Sequence, residues 1–209
     1  DPATLDIQKG VIVDLGTENE RMGLDELARI SYFRSDLIPK GFQPELMATR
    51  HFVPREYNIA FTNGIQGCYV EVDPEIGLVK VLKHWVVEDC GTVINPQLVD
   101  EQVRGGVIQG LGGALMEECR YDDSGNLVNA NMADYLVPMA GEMPDIMVGH
   151  VETPTADSEL GAKGAGEAGT AGAPAVVMNA INDALSPFEV RLAHQPITPE
   201  RILKALGKF

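Results

Sequence analysis

Basic residues are scarce in this 209-residue chain: 16 Lys and Arg stand against 31 Asp and Glu, a formal charge of −15. Nucleic acid and anionic membrane surfaces are bound through clustered Lys and Arg, so neither is expected as a partner. The acidity reads instead as solubility. Long hydrophobic runs are missing too. No stretch approaches the ~18 apolar residues of a membrane span, and the opening DPATLDIQKG lacks the basic-then-apolar order of a signal peptide. A soluble, cytoplasmic protein is the expectation. Cysteine is sparse: Cys68, Cys90 and Cys119 are odd in number and without CxxC spacing, which argues against a disulfide framework and against zinc or iron–sulfur ligation. Three buried free thiols are expected. No Gly-Lys-Ser/Thr occurs, so a Walker loop is excluded.

What is present suits a globular protein. Apolar residues make up 44% of the chain, enough to build a real core in one large domain or two small ones. The chain opens on Asp1 without a methionine, and its 22 glycines concentrate around two segments. A fragment, or a processed piece of something larger, is the expectation.

Strand and helix signals alternate irregularly. VIVDL (11–15) reads as a short strand and LDELAR (24–29) as a short helix face. Residues 38–63 carry Pro39, Pro44 and Pro54 without a period and read as an irregular connection. We therefore divide the chain into residues 1–60, an irregular segment wrapping on the core or a partner, and residues 61–209. CYVEV (68–72), DPEIG (73–77) and LVKVLKHWVVEDCG (78–91) predict a hairpin. Asn95-Pro96 predicts a helix start, and Val99, Val103, Val107, Leu111 and Leu115 continue it to near Glu118. Further strand signals lie in 127–138 and 146–153. APAVVMNAINDAL (173–185) predicts a helix with proline in its first turn, and TPERILKAL (198–206) a final one capped by Thr198. Without a regular βαβ alternation the fold class is α+β.

The helix after Asn95 carries Gly105, Gly106, Gly110, Gly112 and Gly113. Each interior glycine costs roughly 1 kcal/mol against alanine, so something must offset them. One candidate is tight packing of another element on bare backbone. The other is a large flat ligand, with Gln109 as the amide that both donates to it and accepts from it.

ELGAKGAGEAGTAGAP (159–174) raises the same question, since ten of its sixteen residues are Gly or Ala around Lys163 and Glu167. It satisfies G-x-G-x-x-G, but the polar TPTADSE precedes it where a hydrophobic strand is needed, and Glu167 is unwelcome beside a pyrophosphate. A second reading is a surface loop with an exposed ion pair. A third makes Glu167 a catalytic carboxylate at a helix mouth, its charged form disfavoured by a cramped site and hence a better proton acceptor. Lys163 would then orient a cofactor or balance its charge.

EDCGTVINPQLVDEQVRGGVIQGLGGAL (88–115), ADYLVP (133–138), ELGAKGAGEAGTAGAPAVVMNAINDAL (159–185) and ITPERILKAL (197–206) occur in this order. Together they closely resemble the C-terminal part of the molybdopterin-binding large subunit of the xanthine oxidase family, which includes aldehyde oxidoreductases, carbon monoxide dehydrogenases and bacterial N-heterocycle hydroxylases. The wording VINPQ and GEAGT is nearer the last two groups.

The resemblance implies the C-terminal portion of a molybdenum-cofactor-binding domain, a mixed sheet with packed helices. It implies an oxidoreductase that hydroxylates an aldehyde, N-heterocycle or similar carbon with oxygen from water. Glu167 matches the family's general base toward a hydroxyl on molybdenum, and Gln109 the glutamine that hydrogen-bonds the pterin. Lys163, Gly164, Ala165 and Gly166 fall in the same cofactor shell. The cofactor implied is molybdenum-molybdopterin, in its cytosine dinucleotide form, shared with an N-terminal part absent from this chain. Iron–sulfur and flavin (FAD) subunits are the implied partners in a hetero-oligomer. The isolated chain is accordingly expected to be inactive and free of molybdenum. The competing expectation is a catalytically idle assembly module of the same fold.

Overall fold

The computed structural model describes residues 1–43, 46–53 and 59–208. Its contacts divide it into two compact units, Asp1–Val53 and Pro54–Phe209.

The first unit contains β1 (Leu5–Gln8), β2 (Val11–Asp14), β3 (Glu20–Gly23) and α1 (Leu24–Phe33), the strands forming an antiparallel meander in the order β1-β2-β3. The expected strand at 11–15 is β2, and the helix expected at 24–29 runs four residues further. β1, whose alternation lasts only four residues, and β3, which has none, escaped the sequence reading. The Lys9-Gly10 pair between β1 and β2 has φ of 51° and 82°, the left-handed pair that joins antiparallel strands tightly.

The second unit is built on β4 (Asn63–Val72), β5 (Val79–Asp89), α2 (Pro96–Leu115), β6 (Ile146–His150), α3 (Ala168–Ala184) and α4 (Pro199–Ala205). β4 and β5 are antiparallel and β5 and β6 parallel, so the three-stranded sheet is mixed. The expected hairpin is present, with β4 starting five residues earlier than its strongest β signal. One face of the sheet is covered: α3 packs on β4 and on α2, and α2 reaches β6. Period-2 alternation sends His84, Val86 and Glu88 inward, and a register shift between the Tyr69–Lys83 and Val70–Val81 pairs brings Val81 to the same face, where Val103, Val107 and Leu111 of α2 and Ala173, Val177 and Ile181 of α3 close the core. Together with the first unit this is an α+β structure.

Asn95 caps α2 as expected, its side chain accepting from Leu98 N at 3.2 Å, and the helix ends at Leu115. Thr198 likewise caps α4. Three expectations need correction. Residues 127–138 form turns rather than strands, with one isolated bridge, Tyr121 to Leu127. The Asn129 side chain takes up Arg120 N and Glu118 O there, replacing ladder partners. Helix α3 begins at Ala168, which places Pro174 inside it rather than in the first turn. Of the three free cysteines Cys90 is buried and Cys68 half-buried, with its thiol pushed up to about 11 by burial, but Cys119 is exposed. Among the described residues no helix is long and apolar enough to cross a membrane.

Candidate functional site

The two glycine-rich segments meet. Helices α2 and α3 approach so closely that a Cβ on Gly169 would fall on the backbone of Val103 and Val107, and one on Gly106 would crowd Thr170. Thr170 Oγ1 donates to Gly106 O at 2.9 Å across the same contact. On this side of α2 the glycines exist for helix packing.

The other side of α2 is different. Gln102, Gly105, Gln109 and Gly113 lie at intervals of three to four residues on one exposed stripe, and a Cβ added at Gly105 or Gly113 would meet nothing within 4 Å. Gly110 belongs to the packed side, against Ala173 and Pro174, and Gly112 is closed over by Glu117 and Pro138. Both explanations of the glycine-rich helix therefore have a place to operate, on opposite faces. Gln109 stands exposed in the middle of the bare one.

The loop that leads into α3 is also divided. At its start, the end of β5 holds it. Gly91 and Ala162 form an antiparallel bridge, Lys163 N donates to Cys90 O at 2.7 Å, and Thr92 N to Gly161 O at 3.1 Å. Gly91 has φ +68°, and a Cβ there would collide with Gly161 O, so only glycine lets the strands come together. Beneath the bridge the Asp89 carboxylate accepts from Gly91 N at 2.9 Å and Thr153 N at 3.1 Å, and pairs with Lys163 Nζ at 3.1 Å. Lys163 and Asp89 side chains are 8% and 11% exposed. The Gly91 amide first, then Thr153 and Lys163, hold the Asp89 carboxyl well below the usual carboxylate range.

Past Lys163 the loop is open. Gly164 and Gly166 have nothing within 4 Å of a would-be Cβ, and Glu167, the residue before α3, is exposed. One tether returns the loop to α2: Gln102 Nε2 donates to Gly166 O at 3.1 Å. Gln109 lies seven residues further along that stripe, about 10 Å along the axis. The structure thus brings Gly166 and Glu167 to the bare face of α2 that carries Gln109. It sends the Lys163 ammonium the other way, to Asp89. The sequence reading missed Asp89 and Gln102. The one available signal was an acidic pair, Glu88-Asp89, closing β5 directly after the apolar run Trp85-Val86-Val87.

The family of molybdopterin cofactor-binding domains matches this chain over residues 1–144. The nicotine 6-hydroxylase large subunit of Paenarthrobacter nicotinovorans is 41% identical over 95% of the chain and 24% of its own length. A carbon monoxide dehydrogenase large chain of Afipia carboxidovorans is 34% identical over 88% of the chain and 22% of its own length. Among solved structures, quinoline 2-oxidoreductase from Pseudomonas putida 86 superposes with a TM-score of 0.78 at 38% identity, covering 100% of the chain and 26% of that protein. The chain spans about a quarter of the length of these relatives.

Proposed function

The chain belongs to the family of molybdopterin cofactor-binding domains, and from that membership we propose that it forms one wall of a molybdenum hydroxylase active site, with Glu167 as general base. The observation that carries this reading is the bare stripe of Gly105, Gln109 and Gly113 beside the open loop of Gly164, Gly166 and Glu167. Exposed glycines in a helix cost stability and no described element of this chain packs on these two, so we infer that the compensation comes from something laid against them.

The residues present fit the pterin cofactor. The Gln109 amide both donates and accepts, and the backbone from Gly164 to Gly166 has room for close approach. Lys163 enters the cofactor shell by fixing that backbone rather than by its charge, which Asp89 neutralises. When bound, molybdenum supplies a two-electron oxidation in which water provides the oxygen. Overall a C–H group and water become C–OH, two electrons and two protons. The role of Glu167 is to accept one of those protons on a carboxylate oxygen. Its place at the chain's surface leaves it free to do so, and the covering surfaces that raise its basicity by excluding water belong to the rest of the subunit.

Those surfaces are the first partner we infer. The uncovered face of the β4-β5-β6 sheet presents Ile65, Tyr69, Trp85, Val87 and Met147 to solvent, an apolar face of the kind that marks an interface. Iron–sulfur and flavin partners accept the electrons in the assembled hetero-oligomer, and the cofactor is in its cytosine dinucleotide form. The substrate class we favour is an N-heteroaromatic ring, because the relatives at 41% and 38% identity are a nicotine hydroxylase and a quinoline oxidoreductase.

Glu167→Gln in the molybdenum-loaded complex tests the base. Turnover is expected to fall by about 10²–10⁴-fold with molybdenum content unchanged, and unaltered turnover refutes the assignment. The chain purified alone is expected to contain no stoichiometric molybdenum, which metal analysis checks.

A further inference from the structure

The inner face of the mixed sheet carries polar side chains at Gln66, His84, Glu88 and His150, and one row of it holds a carboxylate. Gly64 of β4, Glu88 of β5 and His150 of β6 stand abreast in register. Glu88 is 3% exposed, and among the described residues no Lys or Arg pairs with its carboxylate, whose polar side-chain neighbour is the Gln66 amide, while the neighbouring groups are engaged elsewhere. Gln66 takes His84 Nε2 at 3.1 Å and donates to Gly169 O at 2.9 Å. His150 Nε2 lies 2.6 Å from Asp100 Oδ1.

The carboxylate is not packed away. It forms the floor of a cavity of about 290 Å³ between β4 and α3, whose other lining includes Asn63, Gln66, Ala171, Gly172 and Asn179. The cavity is built by omission. Gly64 leaves the space the carboxylate occupies, since a Cβ there would overlap it, and α3 turns Ala168, Ala171, Gly172 and Ala175 toward the opening. Glu88 is the one charged residue among the cavity's described lining, which includes no basic side chain.

We propose that this cavity is a binding site for a cationic N–H donor, an ammonium or guanidinium group, with the Glu88 carboxylate as its counterion and the Asn63 and Asn179 amides as neutral partners. A buried carboxylate left alone is unfavourable and must either keep its proton or find a cation. Burial already pushes the Glu88 carboxyl up, against the nearby Gln66 amide and His150. The groups facing it are His150, with Asp100 of α2 behind it, and Gln66; α3 contributes nothing ionisable. His84 is held neutral by burial, its pKa pushed down to about 4. A cation entering the cavity therefore displaces the Glu88 proton, and affinity rises as pH rises through the Glu88 pKa.

The proposal rests on Glu88 rather than on Glu167, although Ala168 lines the cavity, and its first test uses the 209-residue chain. Glutamate labelled with ¹³C at the carboxyl is titrated against pH with and without methylguanidinium, tetramethylammonium serving as a cation without N–H donors. Methylguanidinium is expected to lower the Glu88 pKa by about one unit, equivalent to about tenfold tighter binding to the ionised form. Tetramethylammonium is expected to leave it unchanged. Glu88→Gln should abolish the saturable response, and the wild-type titration needs no variant to fold. The same titration in the complete large subunit separates the two sources of the cation. A Glu88 pKa already low and insensitive to the probe identifies a Lys or Arg side chain of the remaining polypeptide. A probe response that persists identifies a small amine or amidine ligand. No response in either sample, or an equal one in Glu88→Gln, overturns the proposal.

Discussion

The two sides of α2 carry glycines for opposite reasons. Gly106 and Gly110 face α3, where any side chain would strike Thr170, Ala173 or Pro174, while Gly105 and Gly113 face open space. The loop before α3 repeats the division: residues 161–163 are bridged and ion-paired to the end of β5, and Gly164 and Gly166 touch nothing. Composition is the same on both sides of each boundary, and only the surroundings differ. Glycine enrichment alone is thus a poor guide to function. Glycine that stays bare once the fold is complete is a better one.

The comparison breaks most severely at Gly169. A methyl group there lands on Val103 O and Val107 N, backbone atoms inside a helix that cannot move singly. Gly169→Ala should cost about 3 kcal/mol, the upper range for overpacking, visible as a lower urea midpoint. A wild-type midpoint would mean that α2 and α3 are not in backbone contact.

Asp89 tests the pinned half of the loop. Because the folded pKa is depressed below the unfolded value near 3.9, its contribution to stability is present above that unfolded pKa and is lost as pH falls through the folded one. Asp89→Asn should therefore lower stability at pH 6 and flatten the acid limb of the stability curve below about pH 4. It should also speed hydrogen exchange at Lys163 N, which Cys90 O holds at 2.7 Å. If the variant leaves exchange at Lys163 slow, the carboxylate is not what anchors the loop.

Much of the second unit could be read in advance. The β5 alternation, the Asn95-Pro96 start and the Thr198 cap are local signals, and each element appeared where its signal stood. What was illegible depends on contacts distant in sequence. That Lys163 would turn from the site to Asp89, 74 residues earlier, follows from a strand bridge that Gly91 permits, and nothing local announces it. Helix α3 starts before Pro174 because Ala168 to Gly172 settle onto β4 and α2, a tertiary gain that outweighs low helix propensity. The split of the α2 glycines into packed and bare sets was legible only as a pair of alternatives. β1 and β3 were missed because both are four residues long and bury little: LDIQ alternates too briefly to stand out, and ERMG shows no period.

Gly110→Ala sharpens the contrast at one residue. The new methyl would press on Ala173 Cβ and Pro174 Cδ, costing about 1–3 kcal/mol by overpacking, less up to about 1 kcal/mol regained in helix propensity. The net loss should be smaller than for Gly169→Ala, because side-chain atoms yield more readily than backbone. Equal losses would show that α3 shifts as a unit.

The smallest effect is the most informative, because its sign reverses. Gly105 sits five residues before Gly110 on the same helix, but its methyl would meet only solvent. In the chain alone Gly105→Ala should therefore stabilise, by about 0.5–1 kcal/mol through helix propensity, raising the urea midpoint. In the assembled subunit the same methyl would stand on the surface we assign to the cofactor, beside Gln109, and molybdenum retained after gel filtration should fall. A variant more stable by itself yet poorer in molybdenum when assembled is what a ligand-facing glycine requires. One that is more stable in both settings, with molybdenum undiminished, would leave the bare stripe without a ligand and return Gln109 to an ordinary surface residue.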